Sequence, residues 1–183
     1  MEHYLTPKRQ TMRLLFVIDL KNYDRNGKVF RRPSARAIII RNNTIYMVHS
    51  LLYDYYKFPG GGIEEQESNI DALIRETAEE AGLLVIKDSI KEYGYVHRIQ
   101  KAKDEGFSMF VQDNFYYFCD VEDKRIAQKL DDYEDDEKFT LEIVDPRIAI
   151  NTNRSGNRDP KKKDMLEREA KVLEMLIEEG YFQ

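Results

Sequence analysis

Glu67, Arg75, Glu76, Glu79 and Glu80 stand at a spacing that can do chemistry, with Gly60-Gly61-Gly62 ahead of them and Gly82 behind. If residues 68–81 form a helix, 100° per residue puts Glu80 at about 40° and Glu79 at about 300° from Glu76. Three carboxylates then crowd one face. Crowded like charges oppose one another's ionisation, so such a cluster is stable when a cation sits in it. Oxygen-only donors suit a hard ion, Mg²⁺ or, as the alternative, Mn²⁺. Such an ion bridges phosphate oxygens and acidifies a bound water.

The rest of the helix explains how the acids would be held. Ile70, Leu73, Ile74, Thr77 and Ala81 fall between about 60° and 160° on the same wheel, a separate face able to dock on a sheet. Ser68 is a good N-cap with Asp71 three residues on, and Gly82 suits a left-handed helix stop. The glycines before the helix let the main chain approach a ligand closely, and Gly61 and Gly62 are candidate substrate contacts. A plainer reading of E-x-x-E-E as a solvated face, with Arg75 pairing Glu79 one turn on, accounts for the helix. It does not account for the glycines.

The stretch from Gly61 to Leu83 resembles the Nudix box, GX5EX7REUXEEXGU, over its full length. At average residue usage, agreement of seven fixed types by chance at one start point is about 10⁻⁸ or less. The resemblance implies a Nudix-type α/β/α sandwich with a mixed β-sheet. It also implies a divalent-metal-dependent pyrophosphohydrolase that cleaves a diphosphate linkage in a nucleoside diphosphate joined to another group. By the same resemblance, the Gly60 carbonyl, Glu76, Glu79 and Glu80 would ligate the metal. Glu67 and Arg75 would form the ion pair that fixes loop to helix. Family members commonly carry glycine just before the first box glutamate, and Gln66 departs from that. They also often take one more acid from a later loop. Counting back from Ile143-Val144 gives Glu137, with Asp135 and Asp136 as competitors in an acidic stretch that also reads as a solvated loop.

Substrate contacts are less explicit. Arg36 could reach a phosphate with its planar fork, or make a strand-edge salt bridge. Tyr53, Tyr55 and Tyr56 precede the glycines, and Tyr56 is the candidate for lining the pocket; packing is the alternative role for all three. His97 and Arg98 lie on a strand after the box. Ile99 stands where ADP-ribose-active relatives carry proline, and markers of NADH, dinucleoside polyphosphate and coenzyme A substrates are absent. A nucleotide-sensing module without catalysis and an isoprenoid diphosphate isomerase are the competing functions. The isomerase would need Cys119 as its reactive thiol.

Whole-chain properties set the boundaries. The 183 residues suit one domain over residues 12–183, after a loose leader over 1–11. A net charge of −5 argues against a nucleic-acid polymer as partner and leaves a small nucleotide substrate. One cysteine excludes an intrachain disulfide, and the apolar run from Leu14 to Ile18 is too short for a membrane span. Together these point to the cytoplasm, with a homodimer as an allowed assembly if the N-terminal strand pairs across it. Strands are expected at 14–20, 28–31, 35–41, 44–49, 84–87, 92–100, 108–120 and 138–144. A short helix is expected from Pro146 to Ile150, a polar loop over 151–160, and a last helix over about 161–179.

Overall fold

The computed structural model describes residues 12–155 and 162–183, so the expected leader lies outside the described residues. The elements run β1 (Leu14–Asp19), β2 (Val29–Arg31), β3 (Ser34–Ile38), β4 (Ile40–Arg41), β5 (Thr44–Ser50), β6 (Tyr55–Lys57) and β7 (Gly60–Gly62). Then come α1 (Asn69–Ala81), β8 (Leu83–Val85), β9 (Lys91–Lys101), β10 (Met109–Phe118) and β11 (Val121–Arg125). The chain closes with α2 (Asp132–Asp136), β12 (Phe139–Val144), α3 (Pro146–Arg154) and α4 (Lys163–Glu178). The larger sheet is mixed, in the order β1-β9-β10-β3-β7. Strand β2 lies parallel to β10 ahead of β3, the two segments being separated by Arg32-Pro33. Proline has no N–H for a ladder, which explains the break. The second sheet is β12-β5-β4, with β6 also paired to β5.

Period-two alternation fills both faces of these sheets. Ala35 and Ala37 of β3 join the core with Ala72 and Leu73 of α1. Ile38 points the other way and packs with Ala149 of α3 and Leu173 and Leu176 of α4. Strand β5 does the same, with Val48 on the α1 side and Ile45 and Met47 on the other. This is the two-sided burial of a layered α/β fold. Each fully buried leucine in it contributes about 1.5–3 kcal/mol. The chain thus forms the expected α/β fold with a mixed sheet.

Four local expectations change. The segment read as a loop over 53–67 holds the short strands β6 and β7, because β7 pairs antiparallel with β3. An added strand, β11, pairs with β8. The acidic stretch contains α2, opened by a capping box between Asp131 and Glu134. Helix α3 continues to Arg154, where a loop was expected from residue 151. Strand β1 pairs in parallel with β9 of its own chain. Among the described residues, no helix is long and apolar enough to cross a membrane.

Candidate active site

Helix α1 begins and ends as its local chemistry dictates. The Ser68 hydroxyl accepts the Asp71 N–H at 3.1 Å. Gly82 closes the helix at φ 65°, with its N–H bonded back to Ala78 and Thr77. The turn ahead of the helix needs glycine for two different reasons. A Cβ on Gly60 would lie 2.1 Å from the Ala35 carbonyl oxygen, and its φ is 133°. A Cβ on Gly61 would lie 2.2 Å from a Glu76 carboxylate oxygen. The missing side chain at Gly61 is therefore the space into which Glu76 reaches.

Arg75 organises the acids with every donor it has. Its Nε and Nη2 grip the Glu67 carboxylate at 2.8 and 2.7 Å. Nη1 donates to Glu76 at 2.7 Å and Glu79 at 3.2 Å, and Nη2 also donates to the Gly62 carbonyl at 3.1 Å. A guanidinium carries five N–H groups, and here they meet five acceptors. The bond from Arg75 holds the Glu67 carboxyl below its ordinary range, and Glu67 holds the guanidinium above its own. Loop, helix and glycine turn are thus tied at one side chain. The one-turn pairing of Arg75 with Glu79 is present alongside the Glu67 bridge.

Glu80 departs from the outward face expected of it. It is buried, accepting the Gly60 N–H at 2.9 Å and a hydrogen bond from the Lys57 ammonium. At about 40° on the wheel it lies between the acidic and apolar faces, and the approach of β6 and β7 tips it inward. Burial pushes its carboxyl up, opposed by Lys57 and Arg36. Lys57 is itself buried, and its ammonium also lies 5.0 Å from the Phe139 ring centre. Arg36 donates to the Gly60 carbonyl, and its Nε is buried without a partner. The turn is braced from behind by Glu169 of α4, which accepts the Phe58 N–H at 2.8 Å. Sequence reasoning missed both Lys57 and Glu169. A lysine inside the apolar run Tyr55-Tyr56-Lys57-Phe58 was the available signal for the first.

Glu76, Glu79, Arg75 and Gly62 line an open cleft of about 900 Å³, and Glu134 of α2 faces it from the other side. Asp131 and Glu134 are the acids of the 131–137 stretch that line this cleft. The Glu134 carboxylate accepts the Asp131 N–H at 3.0 Å and the Tyr133 hydroxyl at 2.8 Å. Glu137 is not brought there. It is buried against the Tyr55 hydroxyl at 2.6 Å and the Lys162 ammonium. The capping-box spacing Asp131-x-x-Glu134 was the available signal that a short helix opens here with the Glu134 carboxylate turned back to the Asp131 N–H. Tyr56 also lies apart. Its ring stacks on His49 with centroids 4.3 Å apart, and its hydroxyl donates to Glu142 at 2.9 Å. Tyr53 lies under the Lys162 ammonium at 4.9 Å. His97 pairs with Asp113 at 2.6 Å, on the strand face opposite Arg98. Cys119 is buried, and burial pushes its thiol up to about 12, so it is not the reactive thiol an isomerase would need.

A second cleft, of about 710 Å³, meets the first at Gly62 and Arg32. Arg36, Lys57, Gly61 and Arg98 line it.

The model of the NUDIX domain matches residues 30–166, most of the chain and all of the site. The chain belongs to the Nudix family. Its fold is similar to that of a NUDIX hydrolase from Nitrosomonas europaea, at 17% identity and TM-score 0.53, over 78% of this chain and 90% of that one. It is likewise similar to the Bacillus subtilis pyrophosphohydrolase BsRppH, at 21% identity and TM-score 0.55, over 82% of this chain and 84% of that one. A search of curated protein sequences gives no match. As a Nudix hydrolase the chain acts on a diphosphate linkage.

Nudix hydrolases typically work with a divalent metal, and the donor set here suits one in kind. All its donors are oxygens, and the Glu76 carboxylate lies against Gly61, one residue from the Gly60 carbonyl. Among the described residues, no three His, Cys, Asp or Glu side chains converge closely enough to enclose an ion. The reason is visible in the ion pairs: Arg75 holds Glu76 and Glu79, while Lys57 holds Glu80. Protein cations supply the counter-charge to these acids.

Proposed function

We propose that this Nudix hydrolase is a divalent-cation-dependent pyrophosphohydrolase. Its substrate is a nucleoside diphosphate bearing a further group, such as a nucleoside triphosphate, including an oxidised one, or a nucleotide sugar. The observation that carries the reading is the joint placement of Glu76 over Gly61 and Glu80 on the Gly60 N–H, with Arg75 locking the helix to the same turn. A diphosphate brought to Gly62 meets Glu76 and Glu79 in the open cleft.

Glu76, Glu79, Glu80 and the Gly60 carbonyl would hold the cation, Mg²⁺ or alternatively Mn²⁺. When bound, such an ion neutralises the diphosphate and acidifies a water. The chain's own residues do the rest. Arg75 and Glu67 set the position of Glu76 and Glu79. Glu134, buried in the wall of the cleft beside Asp131, is the acid of the later stretch that we favour over Glu137 for receiving a proton from water. Arg36, which lines the second cleft with Gly61 and Gly62, is the candidate for a substrate phosphate contact. We place the enzyme in the cytoplasm, consistent with its one buried, unpaired cysteine.

The test is hydrolysis of a nucleotide panel with Mg²⁺ and Mn²⁺, following release of phosphate and monophosphate. Glu79→Gln and Glu80→Gln should each lower turnover by about 10²–10⁴-fold, in the range of lost acid–base or electrostatic assistance. Full activity in both variants would sink the assignment. Tight nucleotide binding with no turnover under any metal would make the chain a sensor instead.

A further inference from the structure

Two buried carboxylates, from helices on opposite sides of the sheets, hold the turn ahead of the box. The turn Phe58-Pro59-Gly60 has two N–H groups, since proline carries none. Glu80 of α1 accepts the Gly60 N–H at 2.9 Å, and Glu169 of α4 accepts the Phe58 N–H at 2.8 Å. Both glutamates are fully buried. The carbonyls are held by β3: Pro59 accepts the Ala37 N–H at 2.8 Å, and Gly60 accepts from Arg36. The box accounts for Glu80. Nothing in it accounts for Glu169, which lies far outside it.

Glu169 stands on the inward stripe of α4, at helical spacing from Leu166, Leu173 and Leu176, all buried. A leucine there would pack without losing hydration, and a buried ion pair is often no more stabilising than apolar residues of its size. The charge therefore needs a reason other than packing. Arg168 anchors it, donating to one Glu169 oxygen through Nε at 2.8 Å and Nη2 at 2.7 Å, and the Tyr116 hydroxyl reaches that same oxygen at 3.3 Å. The other oxygen is left for the Phe58 N–H. Arg168 is anchored in turn. Its Nη1 donates at 2.7 Å to the Asn114 side-chain oxygen, which also accepts the Ser34 hydroxyl at 2.9 Å. Ser34 lies opposite Gly62 in the pairing of β3 with β7. The chain of bonds thus starts on the strand beside Gly62 and ends at Phe58, joining both ends of the glycine turn through α4.

We infer that Glu169 is a positioning residue for the hydrolysis: through the Phe58 N–H it fixes the Phe58-Pro59-Gly60 turn, and with it the Gly60 carbonyl relative to Glu76 and Glu80. The inference rests on the pyrophosphohydrolase reading and extends its machinery to the C-terminal helix. Glu169 lines neither cleft, so it acts only through the turn. Arg168 sets the orientation of the carboxylate, holding one oxygen within α4 so that the other faces the turn. Misplacing a group at a reacting centre by about 1 Å can lower the rate by about 10²-fold, so loosening the turn should be felt in kcat.

The test compares two double variants that differ by one acceptor. Arg168→Met/Glu169→Leu removes both charges together, so no lone ion is left in the core, and it leaves the Phe58 N–H without a partner. Arg168→Met/Glu169→Gln removes the same charges but keeps a side-chain oxygen for that N–H. In the metal-free full chain, hydrogen exchange of the Phe58 amide should be about tenfold faster in the first than in the second. Mn²⁺ affinity, read by EPR titration, should be about tenfold weaker in the first. Its kcat on the best nucleotide of the panel should be about 10–100-fold lower, with KM changed less than about threefold. Leu176→Ala, a core truncation on the same helix, should lower Tm yet leave Mn²⁺ affinity and kcat at parental values. Equal exchange, Mn²⁺ affinity and kcat in the two double variants would overturn the proposal, as would losses that simply follow Tm across all three variants. Failure of the hydrolase reading has a separate signature: the parent turns over no nucleotide with any metal, while the exchange and Mn²⁺ comparisons still decide whether Glu169 holds the turn.

Discussion

The two clefts that meet at Gly62 and Arg32 handle charge in opposite ways. The acidic one is built on a helix, and protein cations occupy its carboxylates: Arg75 spends all five donors there, and Lys57 reaches Glu80 from the strand side. The basic one is built on strands, and much of its charge is left unspent. A helix brings acids together at one-turn spacing, so their repulsion must be answered locally. A twisted pair of strands spreads its cations along a line, where they tolerate one another until an anion arrives. One cleft therefore gathers carboxylates and the other cations, with Gly62 and Arg32 at the line between them.

Lys57 lines the basic cleft while its ammonium pairs with Glu80 of the box, and removing it should have the largest effect on stability. Lys57→Met leaves Glu80 buried without its ammonium. Breaking one side of a buried pair costs about 3–5 kcal/mol. Denaturant unfolding should show that loss, and Lys57→Met/Glu80→Gln should recover most of it, because the double variant leaves no lone charge. If the single variant is as stable as the parent, the pair is not what holds Glu80, and the contrast between occupied and unspent charge fails at its junction.

Arg75→Lys probes the acidic side alone. Lysine keeps the charge but has three donors on one nitrogen, and it cannot grip Glu67 with two parallel bonds while reaching Glu76, Glu79 and the Gly62 carbonyl. Turnover should fall by about 10²-fold, a loss of about 2.7 kcal/mol in transition-state stabilisation. Pyrophosphate affinity in EDTA should not follow it, since Arg75 does not line the basic cleft. A matching drop in both would mean that the two clefts are one coupled site.

The acidic cleft was far more legible in the sequence than the basic one. Its helix is specified by neighbours in the chain, from the Ser68 cap to the Gly82 stop, and the box spacing names each acid. What the spacing could not supply was depth. Glu80 sits at the margin of the apolar sector on the wheel, and only the packing of β6 and β7 decides that it is buried. In the 131–137 stretch, counting from Ile143 led to Glu137, whereas a short helix turns Glu134 to the site and leaves Glu137 with Tyr55 and Lys162. Tyr56 follows from strand alternation: its neighbours Tyr55 and Lys57 face α1, so it faces the other core. The basic cleft depends on the pairing of β9 with β10, a register between residues far apart in the chain. Arg98 could be singled out in advance, but not the cleft it lines.

The smallest effect is expected at Gln66, the position where the box departs from family habit. Its φ is 68°, a left-handed backbone next to the glutamate that anchors Arg75. A side chain in that region costs roughly 1–2 kcal/mol, while glycine gives back roughly 0.4–1 kcal/mol through its freer unfolded chain. Gln66→Gly should therefore stabilise by about 0.5–1 kcal/mol, raising Tm by about 1–4 °C in a domain of this size. Gln66→Val should go the other way, since a β-branched residue resists positive φ most. Both should leave pyrophosphate affinity in EDTA where it was, because the loop they strain or relax belongs to the acidic cleft. If Gln66→Gly lowers stability, the glutamine side chain is contributing a contact that outweighs its backbone strain, and the loop is held by more than the Glu67 bridge.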